Sequence, residues 1–175
     1  MRASAYIGTS LDGFIARANG DIDWLPDGSG GEDWGYKAFF KSVDALVIGR
    51  KSFEKVLSFK KWPYGNKPVV VLSRRRLTIP KRIAQTVESS SSSPAKLVRQ
   101  LSQRGFKHVY VDGGKTIQGF LNAGLIQEIT ITKLPILIGK GIPLFGPTQH
   151  DIKLRHLGTK QFANGFVQSK YQVLR

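Results

Sequence analysis

The chain predicts a three-layer α/β/α domain with a mostly parallel central sheet and an antiparallel C-terminal hairpin. Three observations predict it. Short continuous apolar runs, such as Ala45-Leu-Val-Ile48 and Val69-Val-Val-Leu72, alternate with stretches of helical period. Glycines stand where those runs end, at Gly49 and at Gly113-Gly114. The last third of the chain is rich in strands, closing on two joined by Asn164-Gly165, a dipeptide suited to a tight hairpin turn. Alternation implies parallel strands covered on both faces, and the terminal run implies an antiparallel edge.

In order along the chain, Arg2 to Gly8 reads as a first strand, followed by the loop Leu11-Asp-Gly-Phe-Ile15. Residues Gly20 to Gly31 are rich in Gly, Asp and Pro, with Trp24 and Leu25 as apolar anchors. A long anchored loop of this kind in a compact domain points to function. Asp33 to Lys41 predicts a helix with Tyr36, Phe39 and Phe40 on its apolar side. Ala45 to Ile48 is a buried strand, and Lys51 to Leu57 turns straight into a helix. Lys67 to Leu72 is the next buried strand, and a short one follows near Ala84 to Val87.

The serine run Ser89 to Ser93 reads as a loop and helix cap, because Pro94 suits the first helical position. Leu97, Val98 and Leu101 form that helix's buried stripe, and Gly105 ends it. Val109 to Asp112 is a strand, and Ile117, Phe120 and Leu121 mark the helix after its glycine pair. Ile126 to Ile138 reads as one long strand, with final strands near Lys153 to Leu157 and Phe166 to Leu174.

At 175 residues the chain suits one domain, 1–175, with a substantial core. It has no cysteine, which excludes disulfides and thiolate metal sites and is compatible with a reducing cytoplasm. Asp12 interrupts the N-terminal apolar strand too early for a secretory segment, and no run reaches transmembrane length. A soluble cytoplasmic protein is the expectation. The formal charge of +15 suits an anionic ligand, a nucleic acid or simply a basic surface. Arg74-Arg75-Arg76 and Lys81-Arg82 lack interleaved aromatics, and no helix carries a basic reading face, which argues against nucleic acid. The three histidines lack metal-ligand spacing, so no metal is expected.

Ligands of such sheets bind beyond the carboxyl ends of the parallel strands. Three segments fall there: Gly49-Arg50-Lys51-Ser52, Ser73-Arg74-Arg75 and Asp112-Gly113-Gly114-Lys115-Thr116. Each offers glycine, hydroxyl, cation or helix-start N–H groups that suit phosphate, although a tight turn needing glycine explains the pair equally simply. Together they could hold a ligand with several separate phosphates. No Gly-x-Gly-x-x-Gly fingerprint and no Gly-Lys-Ser/Thr phosphate loop is present.

The ordered set Ser10-Leu-Asp-Gly-Phe-Ile-Ala16, Val43 to Glu54, Val69 to Arg74, Val111-Asp-Gly-Gly-Lys115 and Leu134 to Phe145 resembles the dihydrofolate reductase fold. It is closest to stand-alone relatives of the reductase domain of bacterial riboflavin-biosynthesis deaminase–reductases. The resemblance spans nearly the whole chain. It implies NADPH as hydride donor, with Gly49, Arg50, Lys51 and Ser52 at its pyrophosphate. Leu72, Ser73, Arg74 and Arg75 would lie at the adenosine 2′-phosphate, Gly113, Gly114, Lys115 and Thr116 along its middle, and Gly8 and Ile15 beside the nicotinamide. It also implies a small-molecule substrate, first a phosphoribosylamino-pyrimidine and second dihydrofolate. A homodimer through the strands after Ile126 is expected by analogy. The zinc deaminase half is absent, since the chain has no cysteine.

For the proton, counting back from Gly49 puts Asp33 at the position of the dihydrofolate enzymes' acid, with Trp24 in the loop as a substrate-pocket wall. Such an acid needs a raised pKa. Asp33 equally fits a helix-start residue favouring the macrodipole, with Glu32 beside it. Asp12 is the second candidate, in an Asp-Gly turn. A basic nucleic-acid-binding domain and a cofactor-binding protein without turnover are the rival functions on the same fold.

Overall fold

The computed structural model describes residues 1–26 and 32–174. Part of the glycine-rich loop read from the sequence, residues 27–31, therefore lies outside the described residues. The strands are β1 (Arg2–Ser10), β2 (Phe14–Ala16), β3 (Ala45–Gly49), β4 (Val69–Leu72), β5 (Val87–Ser90), β6 (His108–Asp112), β7 (Glu128–Leu134), β8 (Ile142–Pro143), β9 (Leu154–Gln161) and β10 (Val167–Val173). The α-helices are α1 (Tyr36–Ser42), α2 (Arg50–Leu57), α3 (Pro94–Gln103) and α4 (Gly114–Asn122).

One eight-stranded sheet runs β5-β4-β3-β6-β1-β7-β10-β9, and β2 pairs with β8 as a separate ribbon. The strands from β5 to β7 are parallel, while β10 runs antiparallel to β7 and β9 antiparallel to β10. This is the α/β class the sequence implied. Strand β3 shows why: Ala45, Leu46, Val47 and Ile48 are all fully buried, so both faces of the sheet are covered. On one face Ala45, Val47, Val109 and Val111 pack with Leu97 and Leu101 of α3 and Ile117 and Phe120 of α4. On the other, Leu46, Ile48, Val69 and Val71 pack with Phe53 and Val56 of α2 and the rings of Tyr64 and Tyr110.

Four boundaries differ from the sequence reading, each for a physical reason. Of the strand expected at 84–87, residues 84–86 are a turn that follows a 3-10 turn over Lys81–Ile83, and β5 starts only at Val87 and runs to Ser90. Part of the serine run is thus a strand, pairing Ser89 with Val71 and Ser90 with Leu72. As the sheet's edge, β5 has solvent beside it and needs little apolar side chain. Ser93 does cap α3, its hydroxyl accepting from the Lys96 N–H at 3.4 Å. The long strand from Ile126 stops at Leu134, because Pro135 has no N–H for the ladder. Helix α1 begins at Tyr36 rather than Asp33, since Trp34 and Gly35 are both left-handed, at φ 49° and 87°. Finally, Phe14–Ala16 of the first loop forms β2, paired with Ile142 and Pro143.

Candidate active site

The carboxyl ends of β4, β3 and β6 lie side by side in register. Gly49 pairs with Leu72 and Ile48 with Asp112, so Gly49, Ser73 and Gly113 emerge together from three neighbouring strands. Helices α2 and α4 begin directly after Gly49 and Gly113. Their free N–H groups therefore face the same edge. The three phosphate-suited segments converge as expected.

The glycines have a further reason to be glycine. A Cβ on Gly49 would come within 2.8 Å of the Thr116 hydroxyl. A Cβ on Gly113, whose φ is 92°, would collide with the Ser52 hydroxyl. Each turn thus fills the other's missing side chain, and the two helix starts are packed as one unit. Gly114 is similarly crowded, by Ile15 Cδ1 and the Pro143 carbonyl at 3.1 Å each. That contact brings the β2–β8 ribbon, with Ile15, onto the start of α4. Close approach was expected between glycine and ligand; on the Cβ side it is between glycine and protein.

Charge gathers around this unit. Lys51, Lys115 and Arg74 to Arg76 are exposed, and among the described residues none of them joins an ion pair. Arg50 is paired with Glu54 at 2.5 Å. The Ser73 hydroxyl accepts from the Arg75 N–H at 3.1 Å and donates to the Arg75 carbonyl at 2.7 Å, fixing the arginine turn. Unpaired guanidinium and ammonium groups beside two helix starts suit a ligand with separated phosphates.

The predicted acids sit elsewhere. Asp33 accepts from the Gly35 N–H at 3.1 Å and the Lys37 N–H at 2.9 Å, at the start of α1. Those donors hold its carboxyl below the ordinary carboxylate range, opposite to what proton donation requires. Asp12 accepts from the Gly139 N–H at 2.8 Å and ties down the turn after β7. Its carboxyl is also shifted down, chiefly by hydrogen bonding to Ser10. Leu25 packs on Gly8, its Cδ2 lying 3.0 Å from where a Cβ would stand, and Trp24 keeps a buried indole N–H without a partner.

The ionisable group that does meet the requirement is Asp112, read from the sequence only as a strand end. Burial pushes its carboxyl up to about 6, against the opposing Gly113 N–H. The phenols of Tyr36, Tyr64 and Tyr110 are near enough to feel its charge; all three are shifted up, first by their own burial and then by that charge. Tyr36 meets Tyr110 edge to face at 6.3 Å, and Tyr110 donates to the Tyr6 carbonyl at 2.9 Å. The signal in the sequence was a carboxylate ending a strand otherwise made of largely buried residues, His108-Val-Tyr-Val-Asp112. Of the histidines, His108 is buried, bound to Ser4 at 2.9 Å and the Ser42 carbonyl at 3.0 Å. No cluster of potential metal ligands occurs among the described residues.

Comparison with known proteins agrees with this geometry. The model of the RibD C-terminal domain matches residues 5–168. The chain belongs to the RibD C-terminal domain family. A provisionally assigned riboflavin biosynthesis protein of Shewanella sp. PV-4 has a crystal structure 37% identical, covering 100% of both chains with a TM-score of 0.92. The uncharacterized protein YwjB of Bacillus subtilis (strain 168) is 34% identical over 95% of this chain and 94% of its own. The deaminase/5-amino-6-(5-phosphoribosylamino)uracil reductase of Thermotoga maritima, at 16% identity and TM-score 0.75, shares the fold. This chain covers 56% of that longer protein. No helix among the described residues is long and apolar enough to cross a membrane.

Proposed function

We propose that this RibD-type domain is an NADPH-dependent reductase that reduces a small heterocyclic or carbonyl substrate, most like a phosphoribosylamino-pyrimidine. The observation carrying this reading is the pairing of a cation-lined double helix start with one partly buried carboxyl of raised pKa, Asp112, at the same sheet edge. When bound, NADPH supplies the hydride. Gly49, Lys51 and Ser52 at the start of α2, and Gly114, Lys115 and Thr116 of α4, are the groups suited to hold its pyrophosphate and middle. Ser73, Arg74 and Arg75 suit the 2′-phosphate, whose charge NADH lacks.

Asp112 is the proposed proton donor, because a midpoint near 6 leaves a usable protonated fraction near neutrality. Asp33 and Asp12 are assigned to holding the loops that frame it. The surrounding phenols exclude water and give a planar substrate an aromatic wall. A homodimer is proposed through β9, whose residues are exposed along its length, with Leu154 and Leu157 among them; light scattering would read a single-chain mass if this is wrong. The main test is titration of the protein against NADPH and NADH by nicotinamide fluorescence, then assay of the pyrimidine and dihydrofolate. Micromolar NADPH binding, weakened at least about tenfold by Arg74→Ala with Arg75→Ala while NADH is unaffected, is expected. Absence of NADPH binding at micromolar concentration would end the enzyme reading.

A further inference from the structure

Trp34 breaks a local backbone rule, and the rest of the fold enforces the breach. Among the described residues it alone, other than glycines, has a left-handed backbone, at φ 49°. A bulky side chain disfavours that conformation, so it persists only where surrounding groups over-determine it. The Tyr6 hydroxyl donates to the Trp34 carbonyl. Gln168 Nε2, from β10, donates to the same carbonyl at 3.0 Å and lies 2.8 Å from both the Tyr6 hydroxyl and Thr132 Oγ1. The indole tilts over the Phe166 ring at 5.3 Å. A carbonyl only accepts, so the amide must present its NH₂ end here, and its two protons are shared among three oxygens.

Helix α1 hangs from this hook. Gly35 follows at φ 87°, so close to β1 that a Cβ would stand 3.3 Å from the Tyr6 hydroxyl. The Tyr36 N–H then donates to the Asp33 carbonyl at 2.8 Å, and the helix begins. Its first residue, Tyr36, is seated edge-on to Tyr6 at 5.9 Å and to Tyr110 at 6.3 Å, beside Asp112. A chain of contacts therefore runs from the C-terminal hairpin to Tyr110, two residues before the candidate acid on β6.

We infer that Gln168 is a positioning residue for the reductase site, acting through the Trp34 carbonyl to seat α1 and Tyr36 beside Asp112. The inference rests on the proposed role of Asp112, but its test needs no turnover. With the hook loosened, the first turn of α1 lifts and water reaches the Asp112 carboxyl. A carboxyl raised by burial then returns toward its ordinary value.

The experiment is a carboxyl-carbon NMR titration of Asp112 in the full chain, with NADPH affinity measured on the same samples. Gln168→Leu should lower the Asp112 midpoint from about 6 by roughly one unit or more. Tyr6→Phe should move it in the same direction. Thr132→Val removes the amide's other acceptor without touching Trp34, and should leave the midpoint in place. NADPH affinity should stay within about twofold, since the hook does not touch the glycine turns. Folded Gln168→Leu and Tyr6→Phe proteins with an unmoved midpoint overturn the inference, and Tyr6→Phe alone decides it if Gln168→Leu does not fold. Loss of NADPH binding in the unmodified protein would instead count against the reductase reading and leave the titration result standing.

Discussion

The rim and the floor of the site carry acids of opposite character. Asp12 and Asp33, on the rim, face backbone N–H groups and solvent, and both are shifted down. Asp112, at the end of the apolar strand β6, is partly buried and loses enough water to be shifted up to about 6. All are aspartates, so residue type does not distinguish them. What does is the balance between donors received and water lost. The rim acids build loops, and the floor acid is the one able to change protonation near neutral pH.

The sharpest way to break that contrast is Asp112→Asn. Activity should fall by about 100-fold or more while NADPH binding is retained, because general acid groups typically contribute that much. Retained turnover would return the acid role to the rim. The next largest effect falls on the turn that fixes the floor. Gly113→Ala combines a left-handed backbone with a collision against the Ser52 hydroxyl, and should cost about 2–4 kcal/mol in denaturant unfolding.

A smaller effect of opposite sign tests the electrostatics. A carboxyl whose folded pKa is raised binds more protons folded than unfolded, so stability falls as pH rises from about 4 through about 6. Asp112→Asn should therefore stabilise the protein at pH 8 by about 1–2 kcal/mol, and the gain should vanish below about pH 4. The rim acids should do the reverse. Their depressed carboxyls stabilise above the ordinary carboxylate range, and that contribution is lost on acidification. Asp33→Ala should lower the thermal midpoint more at pH 7 than at a pH below the ordinary carboxylate range, and Asp12→Ala should follow the same pattern.

Much of this fold was legible because its signals are local. Ala45 to Ile48 and Val69 to Leu72 announce buried strands by composition, and Asn164-Gly165 announces its hairpin. The convergence of the three glycine- and cation-bearing segments at one sheet edge was legible too, since glycine followed by cations at a strand end is a pattern within a few residues. The acid was not. Asp33 sits at a plausible distance from Gly49 along the chain, but its environment is made by two N–H groups of its own helix start. Asp112 gains its character from loss of water at the end of β6, which depends on what the assembled fold packs around it and not on its neighbours in sequence. The strand misplaced to 84–87 failed for a related reason. Polar Glu88 to Ser90 can be a strand only because β5 is an edge, and edge position is a property of the assembled sheet.

The reciprocal seating of Ser52 on Gly113 and Thr116 on Gly49 also constrains how this sequence can change over time. A side chain added at 113 has to be matched by trimming at 52, and one at 49 by trimming at 116. Among related chains these positions should therefore vary in pairs or not at all. A single replacement carried from one relative into another should be harmful at either site, whereas the matched pair should be tolerated better than the sum of its parts.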